Sequence, residues 1–134
     1  MRLEHIAIWT RRLKELRAFY ERYFGAVANE KYRSDKGARG IFESYFLSFD
    51  SGARLELMRL DCIPPGDSAD GFESTGLTHL ALSTDTADSL DRLYRRLKQD
   101  GVRIVGEPRT TGDGYYEACV LDPDGNRVEI TVAP

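Results

Sequence analysis

The sequence predicts an α+β protein assembled from two copies of one βαβββ module. Three observations carry that expectation. Leu3-Glu4-His5-Ile6-Ala7-Ile8 lines up with Leu77-Thr78-His79-Leu80-Ala81-Leu82, the histidines lying 79 − 5 = 74 positions apart. Ser51-Gly52-Ala53-Arg54-Leu55-Glu56-Leu57 lines up with Asp124-Gly125-Asn126-Arg127-Val128-Glu129-Ile130, the glutamates lying 129 − 56 = 73 positions apart. Between these patterns each half carries a helical period and then short alternating runs, so the order of elements repeats along with the residues.

The opening run, with apolar and other residues alternating, reads as a strand. Leu13, Leu16, Tyr20, Tyr23 and Phe24 follow at steps of three and four, which predicts a helix over 12–24 with one buried face, ending near Gly25. Leu90, Leu93, Tyr94 and Leu97 predict its counterpart over 85–99, capped by Asp85 and closed by Gly101 in a left-handed turn. After each helix, short runs broken by Gly and Asp read as strands joined by tight turns. Pro64, Pro65 and three glycines mark about 61–76 as the linker between modules of about 1–60 and 77–134, within a single domain of 134 residues. Residues 31–40 read as a basic loop, either solvated or a flap over an anionic substrate.

A chain of this length buries roughly two thirds of the surface its unfolded form exposes, enough for its own core. With 41% hydrophobic and 31% charged residues and a net charge of −3, it has the composition of a folded domain and no basic excess for nucleic acid. No apolar run reaches the roughly 18 residues of a membrane span, and Met1 leads directly into a patterned segment. The expectation is a cytoplasmic protein. Cys62 and Cys119 have no CxxC spacing and no neighbouring histidine, which points away from zinc-finger or redox-motif chemistry; Cys119 reads as a small core residue.

Alternation places His5 with Ala7 and Trp9, opposite Ile6 and Ile8, and His79 with Ala81 and Ser83, opposite Leu80 and Leu82. Glu56 falls opposite Leu55 and Leu57, and Glu129 opposite Val128 and Ile130. All four polar residues therefore leave the side that packs on the helices. A carboxylate between apolar neighbours needs water, a cation or a metal. Singly, each residue is explained as a half-buried strand side chain, with Arg54 and Arg127 neutralising the glutamates. The chain's two histidines, however, hold the same position in the repeat, and two imidazoles with two carboxylates form a mixed donor set for a divalent metal with positions left open. His5, Glu56, His79 and Glu129 are the candidate metal ligands.

These residues resemble the vicinal oxygen chelate superfamily of glyoxalase I, methylmalonyl-CoA epimerase, fosfomycin-resistance transferases, extradiol dioxygenases and bleomycin-binding proteins. The likeness covers almost the whole chain. It rests on Leu3-x-His5-Ile6-Ala7-Ile8, the helix ending Phe19-Tyr20 to Phe24-Gly25, Thr78-His79-Leu80-Ala81, and Asp122-Pro123-Asp124-Gly125-Asn126-x-x-Glu129. The resemblance implies an incomplete barrel around a metal, and the order His, Glu, His, Glu is most similar to glyoxalase I. It implies a metal-dependent lyase or isomerase, similar to lactoylglutathione lyase, that stabilises an enediolate, with Glu129 as main base and Glu56 as second carboxylate. It further implies a homodimer acting on a small molecule, with Ni²⁺ or Co²⁺ favoured over Zn²⁺ or Mn²⁺. Bacterial glyoxalase I has arginine where Trp9 stands and asparagine where Leu60 stands, both glutathione contacts, so this chain departs from that substrate pattern. Trp9, Arg39 and Arg59 are the candidate substrate residues, with Lys36 beside Arg39 in the basic loop. The competing expectations are a metal-free binding protein like the bleomycin-resistance members and a methylmalonyl-CoA epimerase-like isomerase.

Overall fold

The computed structural model describes residues 1–64, 66 and 75–133. The chain divides into two compact units, Met1–Asp67 and Ser68–Pro134. The stretch expected to link the modules lies mostly outside the described residues.

In the first unit, β1 (His5–Trp9) leads into α1 (Leu13–Phe24), followed by β2 (Val27–Ala28), β3 (Tyr32–Ser34), β4 (Phe42–Ser48) and β5 (Arg54–Leu60). The sheet runs β1-β5-β4-β2, and β3 also pairs with β4. β1 lies parallel to β5, which only the crossover through α1 permits; the other pairs are antiparallel. α1 buries Leu13, Leu16, Phe19 and Tyr20, so Phe19 takes the buried place expected of Tyr23. They meet Tyr45, Leu47, Leu55 and Leu57 from the sheet to form the core. Gly25 ends the helix with φ 64°, and its N–H bonds back to Tyr20 O. That is the left-handed turn in which a Cβ is unfavourable.

Four strands follow α1 where the βαβββ module predicts three, β3 being the additional one. Between the pairs Ala28↔Leu47 and Tyr32↔Ser44 the outer strand advances 32 − 28 = 4 residues while β4 advances 47 − 44 = 3. One residue is therefore extra, a bulge. Asn29 bridges the break: its N–H donates to Phe46 O at 3.0 Å, and its Oδ1 accepts Phe46 N–H at 2.8 Å. This corrects the reading of 31–40 as a loop throughout. Tyr32–Ser34 is strand, Lys31 binds Glu43 at 3.1 Å, and only the stretch around Gly37–Gly40 turns freely at the surface.

The second unit realises the expected βαβββ order, as β6 (Leu80–Ser83), α2 (Ala87–Gln99), β7 (Ile104–Thr110), β8 (Tyr116–Leu121) and β9 (Arg127–Val132). Its sheet runs β6-β9-β8-β7 with β6 parallel to β9. α2 buries Leu90, Tyr94 and Leu97 against Ala118, Val120, Val128 and Ile130. The helix begins two residues later than expected because Thr86, not Asp85, is the cap: its Oγ1 accepts the Ser89 N–H at 3.1 Å. Gly101 follows the end with φ 80°.

Neither sheet closes on itself among the described residues, and each unit sets one helix on one mixed sheet, an α+β arrangement. No described helix is long and apolar enough to cross a membrane.

Candidate metal centre

Each unit brings one histidine and one glutamate together on the sheet face turned away from its helix. In the first, β1 and β5 run parallel with Ala7 opposite Glu56. The small Ala7 leaves space above the sheet, and His5, two residues earlier on the same face, leans across it. His5 Nε2 stands 3.7 Å from Glu56 Oε2. In the second, Ala81 lies opposite Glu129, and His79, just before β6, leans the same way to bring Nε2 3.6 Å from Glu129 Oε2. The structure thus joins His5 to Glu56 and His79 to Glu129. Among the described residues no group of three or more His, Cys, Asp or Glu is placed to hold a metal ion.

The donor chemistry fits a divalent ion. Both distances exceed a hydrogen bond, and they are slightly wider than the roughly 3.0–3.4 Å between neighbouring ligand atoms when each metal bond is about 2.1 Å. A movement of a few tenths of an ångström would close either pair. The glutamates are mostly shielded, with side chains 14% and 20% exposed, whereas the histidines are 39% and 41% exposed. Among the described residues neither Glu56 nor Glu129 forms an ion pair with a Lys or Arg. Arg54, expected to neutralise Glu56, instead binds Glu4, its Nε lying 2.9 Å from Oε1. Two half-buried carboxylates are left facing imidazole nitrogens, an arrangement a cation would complete.

Glu4 is the participant that the sequence did not disclose. It accepts a hydrogen bond from His5 Nδ1, and its main-chain oxygen accepts the Arg54 N–H at 2.9 Å. His5 and then Arg54 hold its carboxyl below the usual range. Phe46, opposite Glu56 on β4, sets its ring edge-to-face on His5 at 5.4 Å, and the Arg54 guanidinium lies over it at 4.2 Å.

Asp122 opens the Asp-Pro-Asp-Gly-Asn motif of the sequence. It is buried, and its Oδ1 accepts the N–H groups of Asp124 and Asn126, both at 2.9 Å, while Oδ2 accepts Asn126 Nδ2 at 2.8 Å. Those bonds shape the β8–β9 turn that delivers Glu129, so the Asp-Pro-Asp-Gly-Asn motif has a mechanical purpose.

The candidate substrate residues separate. Trp9 shares the His5 face, is 40% exposed and meets Phe42 edge-to-face at 6.2 Å. Arg39 lies exposed in the turn after β3. Arg59 alternates with Leu55 and Leu57, so it leaves the sheet opposite Glu56, where it binds Asp61 at 2.8 Å and Glu43 at 3.5 Å. It does not stand with the ligand pair. Leu60 is buried. Cys119, expected in the core, is half-buried on the Glu129 face, directly opposite that residue in register. Burial pushes its thiol up; Arg127 opposes the shift, and Glu129 and Glu117 add to it.

A family model for the Glyoxalase/Bleomycin resistance protein/Dioxygenase superfamily matches residues 2–130. The chain belongs to that superfamily. Among solved structures it is similar to a glyoxalase family protein from Bacillus cereus, with TM-score 0.83 and 16% identity over 98% of this chain and 93% of that one. It is also similar to the trypanothione-dependent glyoxalase I of Leishmania major (TM-score 0.73, 22% identity, 98% and 86% covered). A lactoylglutathione lyase from Agrobacterium tumefaciens gives TM-score 0.68 at 19% identity, with 98% and 92% covered. At these identities the likeness is one of fold. No curated protein sequence matches the chain.

Proposed function

We propose that the protein is a glyoxalase I-like, metal-dependent lyase or isomerase acting on a small molecule with neighbouring oxygens, with His5, Glu56, His79 and Glu129 as its ligand set. The observation that carries this reading is the repeated pair, an imidazole nitrogen 3.7 or 3.6 Å from a half-buried carboxylate in each unit. A bound divalent cation would supply Lewis-acid stabilisation of the negative charge that develops when a proton leaves carbon beside a carbonyl. Ni²⁺ or Co²⁺ is the favoured ion, and Zn²⁺ and Mn²⁺ suit the same donors.

The chain's own residues then do the proton work. Glu129, mostly shielded and 3.6 Å from His79 Nε2, removes a proton from one carbon and returns it to its neighbour. Glu56 supplies the second carboxylate. Trp9 offers a flat apolar surface for part of the substrate, and Arg39 a cation for an anionic group. Tryptophan at position 9 and buried leucine at position 60 favour a substrate other than the glutathione adduct. A homodimer in the cytoplasm is the working assembly this reading adopts.

The test measures metal content of the purified protein and of Glu129→Gln, then turnover of the methylglyoxal–glutathione hemithioacetal after reconstitution with Ni²⁺, Co²⁺, Zn²⁺ or Mn²⁺. On whichever substrate is turned over, the substitution should lower the rate by about 10²–10⁴-fold, the usual worth of a positioned proton-transfer group. Bound metal without turnover keeps the site and moves the search to other acyl and carbonyl substrates, methylmalonyl-CoA among them. Failure to bind metal under every condition overturns the reading in favour of metal-free ligand binding.

A further inference from the structure

We propose that Glu4, held by Arg54, is a positioning residue that fixes the tautomer and orientation of His5 so that Nε2 is its ligating nitrogen. The inference rests on the reading of His5 as a metal ligand and adds to it a residue that touches neither metal nor substrate.

Four side chains close a ring of contacts. His5 Nδ1 donates to Glu4 Oε2, Arg54 binds Glu4 Oε1 through Nε at 2.9 Å and through Nη2, the Arg54 guanidinium covers Phe46 at 4.2 Å, and Phe46 meets the His5 ring at 5.4 Å and 87°. The main chain adds the Arg54 N–H to Glu4 O bond at 2.9 Å. Each member is therefore held by two others. A proton committed to Nδ1 leaves the lone pair on Nε2, and Nε2 is the nitrogen that faces Glu56. A carboxylate on the far nitrogen also raises the basicity of a ligating imidazole.

The repeat supplies an internal contrast. Position 4 + 74 = 78 is Thr78, and the position of Phe46 in the second half, 46 + 73 = 119, is Cys119. Among the described residues His79 therefore has neither the preceding carboxylate nor the facing ring. The two histidines are equivalent in their distance to glutamate and unequal in their support.

The experiment has two readouts. Long-range ¹H–¹⁵N NMR of the metal-free protein, at a pH where both rings are neutral, should find His5 as the Nδ1–H tautomer and should find that form lost in Glu4→Ala, with the His79 signals unmoved. Calorimetric titration with Ni²⁺ or Zn²⁺ should show affinity about 10–100-fold weaker in Glu4→Ala, with Glu4→Gln, which keeps an acceptor oxygen, in between. Should Glu4→Ala fold poorly, Arg54→Gln, which frees the carboxylate without removing it, serves in both measurements. His5 protonated on Nε2 in the wild type, or unchanged affinity in the Glu4 variants, overturns the positioning role while leaving the ligand set intact. A wild type that binds neither metal, yet keeps the Nδ1–H tautomer, overturns the site reading and this role with it, and the NMR result identifies the metal reading as the part that failed.

Discussion

Glu129 Oε2 lies 3.6 Å from His79 Nε2 because Ala81, the residue facing Glu129 across the β6–β9 ladder, is too small to keep them apart. Ala7 does the same for His5 and Glu56 at 3.7 Å. If both histidines are ligands, removing either should cost metal affinity on a similar scale. His5→Ala and His79→Ala should each weaken Ni²⁺ or Zn²⁺ binding by about 100-fold or more, beyond the 10–100-fold typical of a supporting residue. Titration calorimetry checks this; a variant that binds like the wild type removes its histidine from the set.

The two thiols should differ sharply in reactivity. Cys62 is exposed, whereas Cys119 is half-buried, and burial, with the charges of Glu129 and Glu117 beside it, favours the unreactive protonated thiol. Iodoacetamide at about pH 8, within the range set by an ordinary thiol, should modify Cys62 well before Cys119, as read by peptide mass mapping. Equal rates would contradict the placement of Cys119.

Tyr116 ties β8 to α2, its hydroxyl donating to Asp91 at 2.8 Å. That bond, with burial and the Asp91 charge adding to it, raises the phenol above its ordinary value of 10.0. A raised folded-state value stabilises the protein fully below the unfolded value, and the contribution disappears as pH rises through the folded one. Tyr116→Phe should therefore be less stable than wild type at neutral pH, with the difference shrinking above pH 10. Urea unfolding across that range checks the sign; a difference that grows with alkalinity would exclude the bond.

Much of this architecture was readable because the residues that set it are periodic. Leu16 and Leu97 announce helix faces, Gly25 and Gly101 announce helix ends, and the alternation around Glu56 and Glu129 places both glutamates away from the helices. What escaped depends on single contacts. Glu4 neighbours His5, and strict alternation would send it to the opposite face; it joins His5 only because it precedes the strand and Arg54 draws it in. Cys119 looked like core because its neighbours are apolar, but the β8 register puts Ala118 and Val120 inward and Cys119 outward. Arg59 reads as a basic residue open to substrate, but its guanidinium is taken up by Asp61 and Glu43. The extra residue around Asn29 leaves no mark on hydrophobic pattern, since that segment alternates too weakly to reveal a break.

Asp122 offers the most direct way to disturb Glu129 without touching it. Its buried carboxylate accepts three hydrogen bonds from Asp124 and Asn126, and Gly125 between them sits at φ 85°. Asp122→Ala leaves two main-chain N–H groups without their acceptor, which should cost about 1–3 kcal/mol of stability. Asp122→Asn keeps one acceptor oxygen and should cost less. The turn sets the β9 register, and β9 carries Glu129 opposite Ala81. Both variants should therefore lose metal affinity in the same order in which they lose stability, measured by urea unfolding and by calorimetry on the folded fraction. Lost stability with unchanged affinity would show that the turn supports the fold but does not place Glu129.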